Sequence, residues 1–250
     1  MAVFITGDCH GEWHKILYNG FLSDKDHVIV CGDFGLWHDI ENEESRKLDR
    51  LSNKGVKILW CDGNHENFDR LYSNEFEVVD LYGGKAHKIR ENIYHLMRGY
   101  VFEIEGKKFF VFGGASSHDI KDGIIYRENY ESDEEFYNVI YRMRKHRRQF
   151  RINGLSWWKQ ELPTDEEMEL GRQNLKTHGN EVDFVISHCL PQQAASVFSR
   201  GGYKPDILTT YFDEIVENNK FTKWYCGHYH QDVTIMGKFI VTYEYFERVV

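Results

Sequence analysis

The sequence predicts an α/β fold in which two mixed β-sheets pack face to face and helices cover both outer faces. Short apolar runs alternate with amphipathic segments in the first half of the chain, which is typical of β-α-β units with a parallel sheet. Later apolar runs come in close pairs joined by glycine-containing turns, which is typical of hairpins. Two packed sheets flanked by helices would use all of these elements.

The first elements in the chain are predicted to alternate between strand and helix. Strands are expected at residues 3–6, 28–30 and 56–60, and helices at residues 13–20 and 40–53. In the second helix Leu48 and Leu51 share one face, and Gly55 follows as a stop signal.

The second half is predicted to contain hairpins, two further site strands and two helices. Strands are expected at residues 93–97, 100–104, 108–112, 182–186, 223–226, 233–236 and 239–245. The turns of two hairpins would lie at Glu105-Gly106 and Gly237-Lys238. Helices are expected at residues 164–178, where Thr164 and Glu167 form a capping box, and at residues 206–218.

A less regular stretch, residues 120–150, is predicted to be a helical insertion or cap within a single domain that spans residues 1–250. Its acidic residues come first and its basic residues last, which suits a helix dipole. The apolar face of this helix needs a partner, either the domain's own flank or a second subunit. Its members are Phe136, Val139, Ile140 and Met143. We favour a lid over the site, and an oligomer remains possible.

The amino-acid composition and net charge limit the classes of protein to which this sequence can belong. Hydrophobic residues make up 41% and charged residues 28% of 250 residues, as in an ordinary globular protein. The formal net charge of −9 makes nucleic acid an unfavoured partner. Apolar runs are too short to cross a membrane, and the first strand begins almost at Met1, so no membrane association and a cytoplasmic location are expected.

Polar side chains of metal-ligand type follow five of the predicted strands. They are Asp8 and His10, then Asp33, Asn64, His188, and finally His228 and His230. Carboxyl ends of parallel strands meet at one edge of a sheet, where ligands usually bind. Mixed oxygen and imidazole ligands suit Mn, Fe or Zn, and there are enough for two ions. Asp33 is the only Asp of its motif, so we expect it to bridge them.

The ordered series Gly-Asp-x-His-Gly, Gly-Asp, Gly-Asn-His-Glu, His and Gly-His-x-His, from residue 7 to residue 230, resembles the calcineurin-like metallophosphoesterase superfamily. The resemblance implies a four-layer α-β-β-α sandwich and two divalent metal ions, with Mn expected in vitro. It also implies that a metal-bound hydroxide attacks phosphorus. The first ion would be bound by Asp8, His10, Asp33 and His230, and the second by Asp33, Asn64, His188 and His228.

The resemblance also suggests roles for neighbouring residues. His65 would face the substrate and either protonate the leaving oxygen or stabilise the phosphoryl charge. Glu66 would orient a ligand or His65. Glycines at positions 7, 32, 63 and 227 would let the backbone approach the ions closely.

One departure from the superfamily pattern concerns phosphate binding. Its protein phosphatases continue Gly-Asp with Asp-Arg-Gly, whereas Gly32-Asp33 is followed here by residues 34–38 without an Arg, so a protein phosphatase is disfavoured. Residues 113–119 and 151–158 resemble a little-described group of bacterial and phage metallophosphoesterases in which the two pieces lie close together. Arg151 and Arg127 are therefore candidate phosphate ligands.

The function predicted from these features is hydrolysis of a phosphate ester, either a diester or a monoester and possibly nucleotide-like. Its partner would be a small phosphorylated substrate. Two alternatives are a catalytically inactive binding scaffold and a nuclease that uses the basic segment at residues 142–151. Trp157 and Trp158 could stack on a base. The alternative, which we favour, is that at least one of them packs in the core.

The five cysteines all lie beside the ligand motifs, at positions 9, 31, 61, 189 and 226. No CxxC pair occurs, which disfavours a structural zinc site. We expect the cysteines to serve as small buried residues at crowded strand ends. The alternative is that their thiols form a redox-sensitive rim around the site.

Overall fold

The structure is a computed structural model that describes residues 1–37 and 43–250. Its strands are β1 (Val3–Thr6), β2 (His27–Val30), β3 (Lys57–Trp60), β4 (Glu77–Leu81), β5 (Gly84–Arg90), β6 (Ile93–Leu96), β7 (Tyr100–Ile104), β8 (Lys107–Phe112), β9 (Ile124–Ile125), β10 (Arg151–Ile152), β11 (Phe184–Ser187), β12 (Lys223–Cys226), β13 (Val233–Ile235), β14 (Phe239–Val241) and β15 (Glu247–Arg248). Its α-helices are α1 (His14–Leu17), α2 (Glu43–Ser52), α3 (Phe68–Leu71), α4 (Asp133–Lys145), α5 (Asp165–Thr177), α6 (Gln192–Ser199) and α7 (Ile207–Asn218). None of these described helices has the length and apolarity needed to cross a membrane.

Two mixed sheets form the centre of the fold. The first has the order β15-β1-β2-β3-β6-β5-β4, and the second has the order β13-β14-β12-β11-β8-β7. Strands β1, β2, β3 and β6 run parallel in the first sheet, as do β14, β12, β11 and β8 in the second. Antiparallel pairs close both edges of each sheet. The parallel centres explain why the ligand-bearing loops project from the same end of neighbouring strands.

Alternating side chains along the strands create three apolar layers. In β2, Val28 and Val30 pack with helices α1 to α3, whereas Ile29 packs between the sheets. In β8, Phe110 packs with α5 to α7, and Phe109 packs between the sheets. Both faces of each sheet are therefore buried, and the four-layer α-β-β-α sandwich expected from the sequence is confirmed.

Most predicted elements are present, and the differences have local causes. The capping box of Thr164 begins α5, and Asp206 caps α7. Helix α1 is shorter than predicted because the Lys54 ammonium group binds the carbonyls of Leu17 and Asn19, where the helix would have continued. The predicted start of α2 at residue 40 lies outside the described residues.

Strand β14 ends earlier than predicted, at Val241 instead of residue 245. The backbone amides of Tyr243, Glu244 and Tyr245 donate to the Asp232 carboxylate instead of a neighbouring strand. Both predicted hairpins are confirmed, because β7 pairs with β8 and β13 pairs with β14 in antiparallel register.

The segment predicted as an insertion has a small apolar cluster of its own. Strands β9 and β10 form a two-stranded parallel sheet, and α4 lies between them in the chain. Phe136 and Ile140 of α4 pack with Ile125 and Ile152 of this sheet. The apolar face of α4 is therefore covered by Ile125 within the segment and by Ile152 directly after it, so a second subunit is not needed to cover it.

Candidate metal centre

The structure brings all seven predicted ligands to the edge where the two sheets meet. Each follows the carboxyl end of a strand: Asp8 and His10 follow β1, Asp33 follows β2, Asn64 follows β3, His188 follows β11, and His228 and His230 follow β12. Contacts between the two sheets bring the ligands together. His188, which follows a strand of the second sheet, has its ring 3.2 Å from Oδ1 of Asn64, which follows a strand of the first.

The first group contains Asp8, His10 and His230. His230 Nε2 lies 3.1 Å from Asp8 Oδ2 and 3.0 Å from His10 Nε2. His10 Nδ1 lies 3.7 Å from Asp33 Oδ2. Asp8 Oδ2 is buried and accepts no hydrogen bond of good geometry, although His230 Nε2 lies 3.1 Å away. A buried anionic oxygen that lacks a well-aligned donor and lies next to two imidazoles fits the ligand set of a divalent ion.

The second group surrounds the fully buried His188. Its Nδ1 lies 2.7 Å from the carbonyl of Cys31, so Nδ1 carries a proton, and Nε2 is the nitrogen that would give up its proton to a metal. Nε2 lies 3.2 Å from Asn64 Oδ1 and 3.4 Å from Asp33 Oδ2. The His228 ring packs at 5.0 Å against that of His188, which places it at the border of this group.

Asp33 and Asp8 both lie between the two groups. Asp33 Oδ2 faces His10 and His188, as a shared ligand would. Asp8 also belongs to both possible sets, because Asp8, Asp33 and His188 have ligand atoms within 4.8 Å of one another. The assignment of Asp33 as the single bridge therefore remains a prediction, with Asp8 as a competing bridge.

Several of the predicted ligands have backbone conformations that are unusual for residues with a side chain. His10, Asp33, His228 and His230 have φ angles of 50°, 46°, 68° and 49°. Positive φ is uncommon for residues other than glycine, and such residues concentrate at functional sites.

Two glycines allow the carboxylates to accept backbone amides. A Cβ on Gly63 would overlap Asp33 Oδ1, and a Cβ on Gly227 would overlap Asp8 Oδ1. The next amide in each chain segment donates to that oxygen: His65 N to Asp33 at 2.7 Å, and His228 N to Asp8 at 2.9 Å. The glycines thus admit the predicted ligand carboxylates close to the backbone.

Opposite charges keep the buried carboxylates ionised. Burial alone would raise the pKa of Asp33, but the charge of His188 lowers it well below its usual range. Burial would likewise raise the pKa of Asp8, and contact with His230 lowers it. Burial would lower the pKa of His188, whereas Asp33 raises it to about 10. Deprotonated carboxylates are a requirement for metal binding, and they are already favoured here.

His65 lies beside the ligands and does not join either group. Its ring stacks on Trp37 at 5.7 Å, and its two nitrogens lie 3.4 and 3.3 Å from the guanidinium of Arg151. Asp119 holds Arg151 through contacts of 2.8 to 3.0 Å. Burial lowers the pKa of His65 to about 4; Asp33 opposes the shift and Arg151 adds to it. The imidazole is therefore neutral near pH 7.

The two candidate phosphate ligands differ in position. Arg151 contacts His65, as just described. Arg127 instead binds the carboxylate of Asp133 at 2.8 Å and the carbonyl of Tyr130, and it lies over the ring of Phe136. Its described contacts are thus within residues 120–150, which favours Arg151 for any role at phosphate.

Glu66 orients backbone instead of a ligand side chain. Its buried carboxylate accepts the amides of Phe34 at 2.7 Å and Leu36 at 2.9 Å, and also the amide of Gly35. These residues directly follow Asp33, so Glu66 positions the loop that carries the candidate bridge. Trp158 is buried and donates to Asp69 at 2.8 Å, which assigns it a core position.

All five cysteines are buried and free. Burial raises the pKa of Cys9 to about 12 and raises the pKa values of the other four thiols as well. A thiol that stays protonated is a poor nucleophile, so packing accounts for these residues better than redox chemistry.

The sequence did not single out Ser117 and Glu161 as site residues. Ser117 Oγ accepts a hydrogen bond from the side-chain nitrogen Nδ2 of Asn64 at 3.3 Å, and Ser117 N donates to Glu161 Oε2 at 3.1 Å. All three residues are buried. Ser117 lies within the stretch 113–119 noted for its resemblance, but no short-range pattern links it to Asn64.

Buried carboxylates and imidazoles gathered at the strand ends of a four-layer α/β sandwich define a candidate metal-dependent phosphoesterase. In a comparison with models of known families, residues 1–232 match the calcineurin-like phosphoesterases. The chain belongs to this family. A search of curated proteins found no match.

Proposed function

We propose that this protein hydrolyses a phosphate ester at two divalent ions, which Asp8, His10, Asp33 and His230 and then Asp33, Asn64, His188 and His228 would hold. The observation that carries this proposal is the cluster of imidazoles around two buried carboxylates, one of which has an oxygen without a well-aligned hydrogen-bond donor. Family membership supports metal-dependent phosphoester hydrolysis in general. When bound, paired ions supply Lewis acidity and a nucleophilic water near neutral pH.

His65 and Arg151 would act on the phosphate itself. A neutral His65 carries one N–H, which suits a hydrogen bond to a phosphoryl or leaving oxygen. Arg151 lies 3.3 Å from the same ring and has its orientation fixed by Asp119, so its guanidinium is positioned to bind a phosphate oxygen.

The test uses metal-free protein reconstituted with Mn, Zn or Fe. We expect up to two ions per chain and metal-dependent hydrolysis of bis-p-nitrophenyl phosphate, p-nitrophenyl phosphate or both. Asp33→Asn should reduce occupancy at both positions, and His230→Ala mainly at one. Asp183→Asn is the matched control, because this half-exposed carboxylate binds Lys107 away from the ligand groups.

Two results would contradict the proposal. Two tightly bound ions without turnover of any phosphate ester would support the inactive scaffold. Full double occupancy in Asp33→Asn would remove its role as bridge and point to Asp8.

A further inference from the structure

Among the cavities lined by the described residues, three border the candidate metal centre, and they differ greatly in size. The largest, about 530 Å³, is lined by His228, Ser117 and Tyr229 among others. A second, about 310 Å³, lies beside His10 and Trp37. The third, beside His65 and Arg151, has only about 20 Å³. Pockets for small organic ligands usually have about 300–1,000 Å³, so only the first two are large enough for the organic group of a substrate.

The largest cavity opens onto the second group of predicted ligands. His228 forms part of its wall, and the His118 ring packs against His228 at 5.4 Å. Ser117, another wall residue, accepts a hydrogen bond from the side-chain Nδ2 of Asn64 at 3.3 Å. A phosphate held at this group would therefore have its organic substituent directly at the cavity mouth.

Charge separates the two larger cavities. Lys121 and Lys204 line the 530 Å³ cavity, and neither forms an ion pair within the described part of the chain. Its one carboxylate, Asp206, is engaged in capping α7, where it accepts the amide of Thr209 at 2.7 Å. Because the chain as a whole carries −9, a cavity with two free ammonium groups is a local exception that favours an anion.

The 310 Å³ cavity has the opposite character. Three carboxylates line it, those of Glu12, Glu43 and Glu44, with the single cation Lys47. Lys47 forms ion pairs with both Glu12 and Glu43. Glu44 is paired with Arg70, so Glu12 and Glu43 share one cation, and the remaining negative charge disfavours an anionic substituent there.

We infer that the cavity between Lys121 and Lys204 binds the organic part of the substrate, and that this part carries a second phosphate or similar anionic group. The substrate class is thus a sugar- or nucleoside-sized phosphate ester with two anionic groups, one at the metal centre and one at the lysines. Tyr203 and Tyr229, whose ring centroids are 5.6 Å apart, form an aromatic wall for the organic group that connects the two anionic groups. The assignment rests on the proposed function for the position of the first phosphate.

The test compares two ligands that differ by one phosphate. Adenosine bisphosphate, with one phosphate on each side of the ribose, and the corresponding monophosphate are titrated calorimetrically into the metal-loaded protein. The wild type should bind the bisphosphate at least roughly tenfold more tightly. Lys204→Gln and Lys121→Gln should each reduce that ratio several-fold, and the double variant should nearly abolish it.

Lys176→Gln provides the control, because it removes the same charge from α5 outside the cavity and should leave the ratio unchanged. Equal affinity of the wild type for both ligands would overturn the inference, as would an unchanged ratio in the double variant. The separate assay with nitrophenyl esters reports the proposed hydrolysis, so failure of either idea is distinguishable. If no ester is hydrolysed, the ratio of affinities still decides whether the lysines bind a second anion.

Discussion

At the scale of single residues, the candidate site depends on backbone atoms as much as on ligand side chains. Asp33 accepts the amide of His65, and Asp8 accepts the amide of His228. These contacts fix the direction of each carboxylate before any ion binds, which reduces the cost of organising a metal site.

Gly63→Ala should therefore damage metal binding without altering a ligand. Its new methyl group would overlap Asp33 Oδ1, and overpacking of this kind typically costs about 1–3 kcal/mol. Metal content and urea unfolding measure the effect. Gly20→Ala is the matched control, because its Cβ would meet no atom within 4 Å. Normal metal affinity in Gly63→Ala would show that Asp33 can move without loss.

Arg151→Gln should raise the pKa of His65 from about 4 towards its ordinary value of 6.5. A cation beside the imidazole disfavours its protonated form, so removing the guanidinium favours proton binding. An NMR titration of the His65 ring in metal-free protein measures the pKa directly. Arg127→Gln should leave it unchanged, because Arg127 binds Asp133 instead. Equal titration curves in wild type and Arg151→Gln would exclude this coupling.

Glu161→Gln should stabilise the protein increasingly as pH rises. Burial raises the pKa of Glu161 from 4.5 to about 8. Between these values the native state holds a proton that the unfolded state has released, so the unfolding free energy falls as pH rises through this range. Glutamine lacks this titration and can still accept from Ser117 N. Urea unfolding of both proteins near pH 4.5 and near pH 8 tests the difference, and a constant difference would contradict it.

At the scale of elements, strands β9 and β10 and helix α4 form a small unit next to the site. Its ends are the pair Asp119 and Arg151, which contact each other and, through Arg151, His65. Tyr137 and Tyr141 are exposed on α4 and are not members of its apolar cluster. A unit with these connections is well placed to cover the site, as we proposed for residues 120–150.

Replacing residues 124–149 with a short Gly-Ser linker should change discrimination among large esters more than hydrolysis of small ones. The replaced part lies outside both ligand groups, so small test esters should still reach them. Steady-state kinetics on nitrophenyl esters and nucleotides compares the two classes. Tyr137→Ser with Tyr141→Ser is the control for a dimer, since only an interface at the exposed face of α4 would change the mass in solution. Unchanged kinetics on every ester would exclude a lid.

At the scale of the whole molecule, the candidate metal centre joins the two sheets. His188 follows the second sheet and contacts the carbonyl of Cys31 and the side chain of Asn64, both of which belong to the first. Ions held here would therefore link the two halves of the sandwich as well as support chemistry.

Metal removal should lower the melting temperature of the wild type. Ligands that bind only the native state stabilise it by an amount that grows with the concentration of free ligand over the dissociation constant. Thermal unfolding with excess chelator and with increasing Mn²⁺ measures the shift. Asp33→Asn should show a much smaller rise with Mn²⁺ than Asp183→Asn. The same rise in both variants would mean that the stabilising ion binds elsewhere.

The sequence alone predicted the sandwich, the strands that lead into the candidate site and the seven candidate ligand residues, which lie together in the structure. These features depend on short-range patterns: alternation along a strand, capping residues and polar residues directly after apolar runs. It did not identify the β4–β5 hairpin, because β4 is an edge strand with exposed Val78 and lacks a clear apolar face.

Only the tertiary structure decided what surrounds the ligands. His65 meets Arg151 across 86 positions of sequence, Asn64 meets Ser117 across 53, and Ser117 meets Glu161 across 44. The competition between Asp8 and Asp33 as bridge, and the opposite charges of the two cavities, likewise depend on segments from different strands. Local patterns specify which elements form, but packing of the two sheets determines which distant side chains share one site.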